Sequence, residues 1–318
     1  MSHVLVTGAN GFVGRSLCRA LLSEGHVVTG LVRQAGGCPN GTQEWLHNGK
    51  DFANLPATWP QNLISDCVVH LAARVHVMRD DAADPLAAFR QTNVEGTLRV
   101  AKAACQRGVR RMIFVSSIKA MAEVDPGRPL SENNPLCPQD AYGRSKCEAE
   151  QALIQFGKET GLDVVIVRPP LVYGPEVRAN FLRLMDAVWR GMPLPLGAVS
   201  ARRSVIYVGN LTDALVRCVT DPRAARQCFH VADSGAPTVA ELVRSLALHL
   251  RKPSRMLPVP AGWLRAAGRL TGRSAEIDRL IGSLQVDTTH IREVLGWRAP
   301  FSTDDGLSAT AAWYRSTH

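Results

Sequence analysis

Tyr142 and Lys146 stand four residues apart within Ala141-Tyr142-Gly143-Arg144-Ser145-Lys146, and on a helix that spacing sets a phenol and an ammonium on one face. An ammonium beside a phenol favours the phenolate, so the Tyr142 pKa is expected to fall from about 10 toward the range of a working general acid. Upstream, Ile113-Phe114-Val115-Ser116-Ser117 reads as a buried strand ending in two hydroxyls. A serine there can hydrogen-bond a reacting carbonyl oxygen, which makes Ser117, Tyr142 and Lys146 the expected catalytic group. A tyrosine and a lysine at this spacing also arise by chance as a surface pair. The strand-end serines and a glycine-rich turn near the start of the chain single this pair out.

That turn, Thr7-Gly8-Ala9-Asn10-Gly11-Phe12-Val13-Gly14, follows an apolar run and opens a helical pattern, the context that a dinucleotide fingerprint requires. Gly8, Gly11 and Gly14 are spaced for a tight turn, close approach of a pyrophosphate and helix–sheet packing, while the helix N-terminus offers N–H groups and a positive dipole end. Asn10, Phe12 and Val13 are counted with them as cofactor-binding residues. An acid about 20 residues further on marks an NAD site, and an arginine there an NADP site. The second strand ends Gly30-Leu31-Val32-Arg33, with no acid before Glu44. Arg33 is therefore expected to fork onto a 2′-phosphate, the competing reading being a solvated arginine at a strand end. NADPH is the expected cofactor and NAD the alternative.

Short β-branched runs alternating with helical segments must position these groups, and they imply an α/β fold with a doubly wound parallel sheet, that is, a Rossmann domain. Strands are expected at 4–7, 27–32, 67–71, 112–116 and 164–168, with helices at 14–24, 85–107 and 141–161. After Arg168, Pro169-Pro170, Gly174-Pro175, Pro193 and Pro195 break the pattern. Residues 1–170 are thus read as the dinucleotide-binding domain and 171–318 mainly as a smaller substrate lobe, with returns to the first domain at about 204–233. The formal charge of +9, from 37 Lys and Arg against 28 Asp and Glu, comes without an aromatic-studded basic groove, which argues against nucleic acid. No apolar run reaches the roughly 18 residues of a membrane span, and no charged leader precedes Val4, so a cytoplasmic protein is expected. Eight cysteines without C-x-x-C or zinc-type spacing read as reduced thiols, with no metal site.

In order along the chain, Thr7-Gly8-x-x-Gly11-Phe12-x-Gly14, Asp66-Cys67-Val68-Val69-His70-Leu71-Ala72-Ala73, Asn93-Val94-Glu95-Gly96-Thr97, Ser116-Ser117, Tyr142-x-x-x-Lys146 and Arg168-Pro169-x-x-Val172-Tyr173-Gly174-Pro175 resemble the extended short-chain dehydrogenase/reductases. The branch is that of the nucleotide-sugar epimerases and dehydratases, and the resemblance covers essentially the whole chain. It implies that Tyr142 exchanges a proton with the sugar oxygen, Lys146 holds the nicotinamide ribose and tunes Tyr142, and Ser117 bonds the carbonyl. It also implies that Asp51 meets the adenine amino group, that Leu71, Ala72 and Ala73 line the cofactor, and that Pro169 and Pro170 wall the nicotinamide. A plain loop carboxylate is the competing reading for Asp51. The substrate implied is a UDP-sugar, with Asn180 and Arg203 on the diphosphate, Phe181 offering backbone to the base and Leu196 against uracil. Charge-assisted bonds make Arg203 a reasonable clamp. Leu171 stands where many relatives carry Asn.

Dehydratases of this branch carry Thr-Asp-Glu at the strand end. Ser117-Ile118-Lys119 stands there instead, so elimination has no proton carrier and is rejected. Typical 4-epimerases hold NAD through an acid on the second strand and continue Ser-x-x-x-Tyr-Gly, and this chain has Arg33 and Lys119-Ala120-Met121-Ala122-Glu123. The chain looks most like bacterial reductases of UDP-4-keto-6-deoxy-N-acetylhexosamines, which make precursors of surface polysaccharide. The expected reaction is hydride transfer from NADPH to C4, with Tyr142 protonating the alkoxide. A 4-epimerase of UDP-N-acetylglucosamine or UDP-glucose with bound NAD is the alternative, and a non-catalytic dinucleotide sensor a third reading. The resemblance also implies a homodimer built on the helices at 86–107 and 142–156. Lastly, Pro260 to Leu270 interleaves Trp and Leu with Arg, as an interfacial membrane helix does. Its glycines and short length favour instead a helix of the substrate lobe, packed by Trp263, Leu264 and Leu270.

Overall fold

The computed structural model describes residues 1–75 and 84–318. The chain opens with β1 (His3–Thr7), α1 (Phe12–Ser23), β2 (Val27–Val32), β3 (Gln43–Leu46), the single turn α2 (Leu55–Thr58) and β4 (Cys67–His70). After α3 (Pro85–Arg90) and α4 (Thr97–Gln106) come β5 (Arg111–Val115), α5 (Ala141–Thr160) and β6 (Asp163–Arg168). The second half holds β7 (Leu171–Tyr173), α6 (Ala179–Trp189), β8 (Val205–Tyr207), α7 (Val208–Thr220), β9 (Cys228–His230) and α8 (Val239–His249). It ends with α9 (Ala261–Leu270), α10 (Ser274–Ile281), α11 (Thr289–Leu295) and α12 (Thr303–Thr317).

Seven described strands form one sheet in the order β3-β2-β1-β4-β5-β6-β9, and every neighbouring pair runs parallel. Helices cover both faces, which is why all four residues of β4 are buried and why the strands read as continuous apolar runs. On one face Leu17, Leu21, Leu211, Leu215 and Leu295 of α1, α7 and α11 pack together. On the other, Val100, Ala104, Ala149 and Leu153 of α4 and α5 meet Leu5, Val68 and Phe114. A separate core, with Phe181, Met185, Val205, Leu246 and Tyr314, belongs to the second half of the chain. The doubly wound parallel fold is the one expected. β3 was not legible, because Gln43-Glu44-Trp45-Leu46 is a short, polar edge strand. The run near 204–208 pairs with β7 in a small second sheet, so the return to the main sheet is made by α7 and β9.

Strand order reverses between β1 and β4, and this switch point opens a crevice beyond their carboxyl ends. A chain of buried hydrogen bonds spans it. The Thr7 hydroxyl accepts from the amides of Leu71 and Ala72, each at 3.2 Å, and lies 2.7 Å from Nδ1 of His70. His70 Nε2 is 3.0 Å from the Thr97 hydroxyl, which itself donates to the Asn93 carbonyl at 2.7 Å. These directions place the His70 proton on Nε2 and leave Nδ1 as the acceptor from Thr7. The Asn93 amide donates to Ser145 (2.9 Å) and to the Arg74 carbonyl (3.0 Å), and Ser145 donates to the Tyr142 carbonyl (2.8 Å). Asn93 sits in a π-type turn, Gln91–Gly96, that joins α3 to α4. The helix expected over 85–107 is present, with this wider turn at its middle, and Asn93 bridges from it to α5.

α9 corrects another expectation. Leu264 is buried, but Trp263 is 76% and Leu270 89% exposed. Leu264 and Gly268 occupy the inward stripe, and Trp263 and Leu270, seven residues apart, share an outward one.

Burial pushes the imidazoles of His70 and His230 down from 6.5 to about 3. Between those values the unfolded chain binds protons that the native chain does not, so the contribution of these two groups is complete above about 6.5 and is lost as pH drops. Each imidazole contributes a slope of up to about 1.4 kcal/mol per pH unit. Glu132 and Asp233, raised by burial, act in the opposite sense at the acid end of the window. Urea midpoints should therefore fall as pH drops below about 6.5 and most steeply near about pH 5, and a midpoint unchanged from neutrality to that pH would contradict the neutral assignment.

Candidate active site

β1 delivers the glycine turn to the crevice, and α1 starts at Gly11 with no side chain capping its first amides and no acid in its first turn. The free N–H groups and the dipole end therefore face the crevice as an anion cradle. A Cβ on Gly14 would lie 2.2 Å from the Gly8 carbonyl oxygen, so only glycine lets the helix start this close to the strand. Gly8 itself lies against the Ala72 backbone, 3.1 Å from its amide nitrogen if given a Cβ. The crevice floor at this point is thus formed jointly by the turn and by Leu71-Ala72-Ala73. Val13 packs on the core of the main sheet and Phe12 on that of the second half. Asn10 lies beneath Gly37 of the loop after β2.

Arg33 is exposed at the end of β2. Glu44, the next acid along the chain, accepts the amides of Gly36 at 2.8 Å and Cys38 at 3.0 Å, and so serves to hold that loop. Asp51 is half-buried, takes the Thr92 hydroxyl at 2.7 Å, and has its carbonyl bonded by Arg99 at 2.9 Å. Pro169 and Pro170 are buried, and the Pro169 carbonyl accepts the Ile118 amide at 2.9 Å, which ties β6 to the loop after β5. The residues present fit a dinucleotide: the turn is a cradle that a methyl group would fill, and the buried Ser116 hydroxyl has no hydrogen-bond partner.

Two of the three catalytic candidates are brought into contact, and the third, Lys146, lies one turn of α5 beyond Tyr142. A hydrogen bond joins the side chains of Ser117 and Tyr142. Lys146, 2% exposed, donates to the Val115 carbonyl at 2.9 Å and lies 4.4 Å from the centre of the Phe114 ring. Burial lowers its pKa to about 7, against the opposing pull of Glu150. The Tyr142 phenol departs from expectation: burial first, and Asp140 second, push its pKa above the ordinary range, while Ser117 pulls it down. Desolvation of the phenolate outweighs the attraction that the helical spacing suggested.

Asp140 caps α5 through the Gly143 amide at 2.6 Å. Gly143 is required there, since a Cβ would meet the Lys119 carbonyl at 2.3 Å. Lys119 reaches Asp140 at 2.7 Å and Glu123 at 3.2 Å. Arg279 of α10 joins Glu123 at 2.6 Å, and Arg203, half-buried, donates to the Glu123 carbonyl at 3.3 Å. This ionic loop, and the Thr7–His70–Thr97–Asn93 relay, went unrecognised in sequence. Only the Asp three residues before Gly143, an N-cap signal, marked any of it. Of the remaining substrate candidates, Asn180 is exposed at the start of α6, Leu196 is buried, and Phe181 is buried against Tyr173 with ring centres 5.3 Å apart.

The chain is 42% identical over 311 residues to a UDP-glucose 4-epimerase of Vibrio cholerae, covering 97% of this chain and 94% of that protein. It is 28% identical over 322 residues to the N-acetyl-alpha-D-glucosaminyl-diphospho-ditrans,octacis-undecaprenol 4-epimerase of Escherichia coli O157:H7, covering 97% and 94%. Among solved structures, the Thermus thermophilus UDP-glucose 4-epimerase in complex with NAD superposes with a TM-score of 0.80 at 22% identity, over 99% of this chain and all of that one. The sequence pattern of the NAD dependent epimerase/dehydratase family matches residues 4–232. With that match across most of its length and a doubly wound parallel sheet, the chain belongs to the NAD dependent epimerase/dehydratase family.

Proposed function

We propose that the protein inverts the C4 configuration of a UDP-sugar while keeping a bound NAD. The similarity to the Vibrio cholerae epimerase over nearly the whole of both chains carries this reading and favours it over C4 reduction. When bound, the dinucleotide supplies a reversible two-electron acceptor for the carbinol carbon. Gly8, Gly11 and Gly14, with Asn10, Phe12 and Val13, hold its pyrophosphate at the uncapped start of α1, Asp51 and Leu71 to Ala73 line its adenosine half, and Pro169 and Pro170 its nicotinamide.

Tyr142 takes the C4 hydroxyl proton and returns it when the 4-keto sugar has presented its other face. The hydrogen bond from Ser117 offsets part of the cost of ionising a buried phenol, and the same serine bonds the sugar oxygen. Lys146, held by the Val115 carbonyl, orients the ribose and places a proton-exchanging ammonium in a site from which water is largely excluded. Arg203, Asn180, Phe181 and Leu196 bind the UDP portion. A homodimer through α4 and α5 belongs to the same reading; Ile154 on α5 is 42% exposed.

One observation favours a second reading, NADPH-dependent reduction of a UDP-4-keto-6-deoxy-N-acetylhexosamine. Arg33 is exposed at the end of β2, and Glu44 is already engaged by the Gly36 and Cys38 amides. Purified protein given UDP-glucose or UDP-N-acetylglucosamine with sub-stoichiometric NAD should yield the galacto epimer. Stoichiometric NADPH consumption with the 4-keto substrate, and no epimer, would establish the reductase instead. Tyr142→Phe should lower kcat by about 10²–10⁴-fold with little change in KM or Tm, and normal turnover would remove Tyr142 from its role. Arg33→Ala should leave NAD affinity unchanged. A loss of NADP affinity of about 10–100-fold, the worth of a charge-assisted phosphate bond, would support the reductase.

A further inference from the structure

Over residues 251–275 the chain carries Arg251, Lys252, Arg255, Arg265, Arg269 and Arg273 and no Asp or Glu. These six cations compare with a net charge of +9 for the whole protein. Arg251, Arg255, Arg265, Arg269 and Arg273 are exposed. Arg255 touches the Gly191 carbonyl at 3.4 Å, Lys252 lies 4.1 Å from the Trp189 ring centre, and Arg265 faces the exposed Asp278 at 3.5 Å.

In the middle of this basic stretch, α9 presents Trp263, Ala266, Ala267 and Leu270 on one outward stripe, the i, i+3, i+4, i+7 pattern of a helix face that wants an apolar neighbour. All four are exposed, and apart from the terminal Met1, Leu270 and Trp263 head the exposed large apolar residues described, at 89% and 76%. The helix is anchored from its other side, by buried Leu264 and by Gly268, where a Cβ would sit 3.0 Å from Ile277 of α10. The stripe is therefore held outward by packing behind it.

We propose that the α9 face docks on an anionic lipid bilayer surface. Trp263 and Leu270 enter the headgroup boundary, where an indole with one polar edge is at home. Arg265, Arg269 and Arg273 keep their stems against apolar surface and their guanidinium groups among lipid phosphates. Charge complementarity selects this occupant over a second copy of the chain, which would bring the same cations face to face. The docked hairpin of α9 and α10 is ion-paired to the candidate active site through Arg279, Glu123, Lys119 and Asp140. Docking thereby fixes that hairpin, and the crevice beside it, at the membrane surface. The inference stands independently of which C4 chemistry the site performs.

The test is co-sedimentation of the full chain with vesicles of phosphatidylcholine alone and with phosphatidylglycerol in equal parts, at low and high salt. Binding is expected on the anionic vesicles, weakened by salt and weak on phosphatidylcholine. Trp263→Glu combined with Leu270→Glu should reduce it at least about tenfold while Tm and turnover of a soluble UDP-sugar stay unchanged. Arg265→Gln with Arg269→Gln and Arg273→Gln, which leaves the apolar stripe intact, should reduce binding similarly and flatten its salt dependence. Absence of wild-type binding at low salt, or binding by both variants equal to that of the wild type, would overturn the proposal. So would a change from dimer to monomer in the Glu variant with vesicle binding retained, which would make the face a self-interface.

Discussion

A neutral imidazole is the constraint on which the crevice depends. His70 is fully buried between Thr7, which ends the strand before the glycine turn, and Thr97, which begins α4. Thr97 commits its proton to the Asn93 carbonyl and Thr7 has its lone pairs taken by the Leu71 and Ala72 amides, so the ring must donate at Nε2 and accept at Nδ1. An imidazolium could not accept from Thr7, and the amides of Leu71 and Ala72 would then compete for a reoriented hydroxyl. The same chain of bonds continues through Asn93 and Ser145 to the backbone of Tyr142. The cofactor cradle and the catalytic helix are therefore positioned by one set of buried, mutually satisfied groups, and such networks specify a unique arrangement because any break strands a desolvated polar atom.

Charged groups set the other boundary of the site. Glu150, one turn beyond Lys146 on α5, forms a buried pair with Arg168, with Nη2 to Oε2 at 2.6 Å. This pair anchors the carboxyl end of β6 to α5, immediately before Pro169 and Pro170. In the loop after β5, Lys119 is held between Asp140 and Glu123. Its contribution is to the placement of the start of α5, through the Asp140 cap. Lys146, by contrast, is held by a carbonyl and an aromatic ring, both of which favour the ammonium, while burial lowers its hold on the proton.

The main sheet, its helices and the three catalytic candidates were readable in the linear chain because each leaves a local record. Parallel strands buried on both faces are unbroken apolar runs, a glycine turn has a fixed spacing, and residues four apart on a helix share a face. The edge strand β3 was not readable, because a half-exposed polar tetrapeptide carries no such record. The orientation of α9 was hidden for a related reason: its periodicity shows two apolar stripes, and only the position of α10 decides which one is covered.

Residue identity and spacing alone thus determined the family and the α/β architecture, and singled out Ser117, Tyr142 and Lys146 as candidates, since those depend on backbone geometry over a few residues. Tertiary structure alone decided the protonation properties and the partnerships. Burial raises the Tyr142 phenol and lowers the Lys146 ammonium, and desolvation is a property of everything that packs around a group. It also decided that Glu44 holds a loop, that His70 is a neutral bridge between residues 63 and 27 positions away, and that Trp263 faces outward. Each of these depends on contacts between distant segments, and no spacing along the chain encodes them.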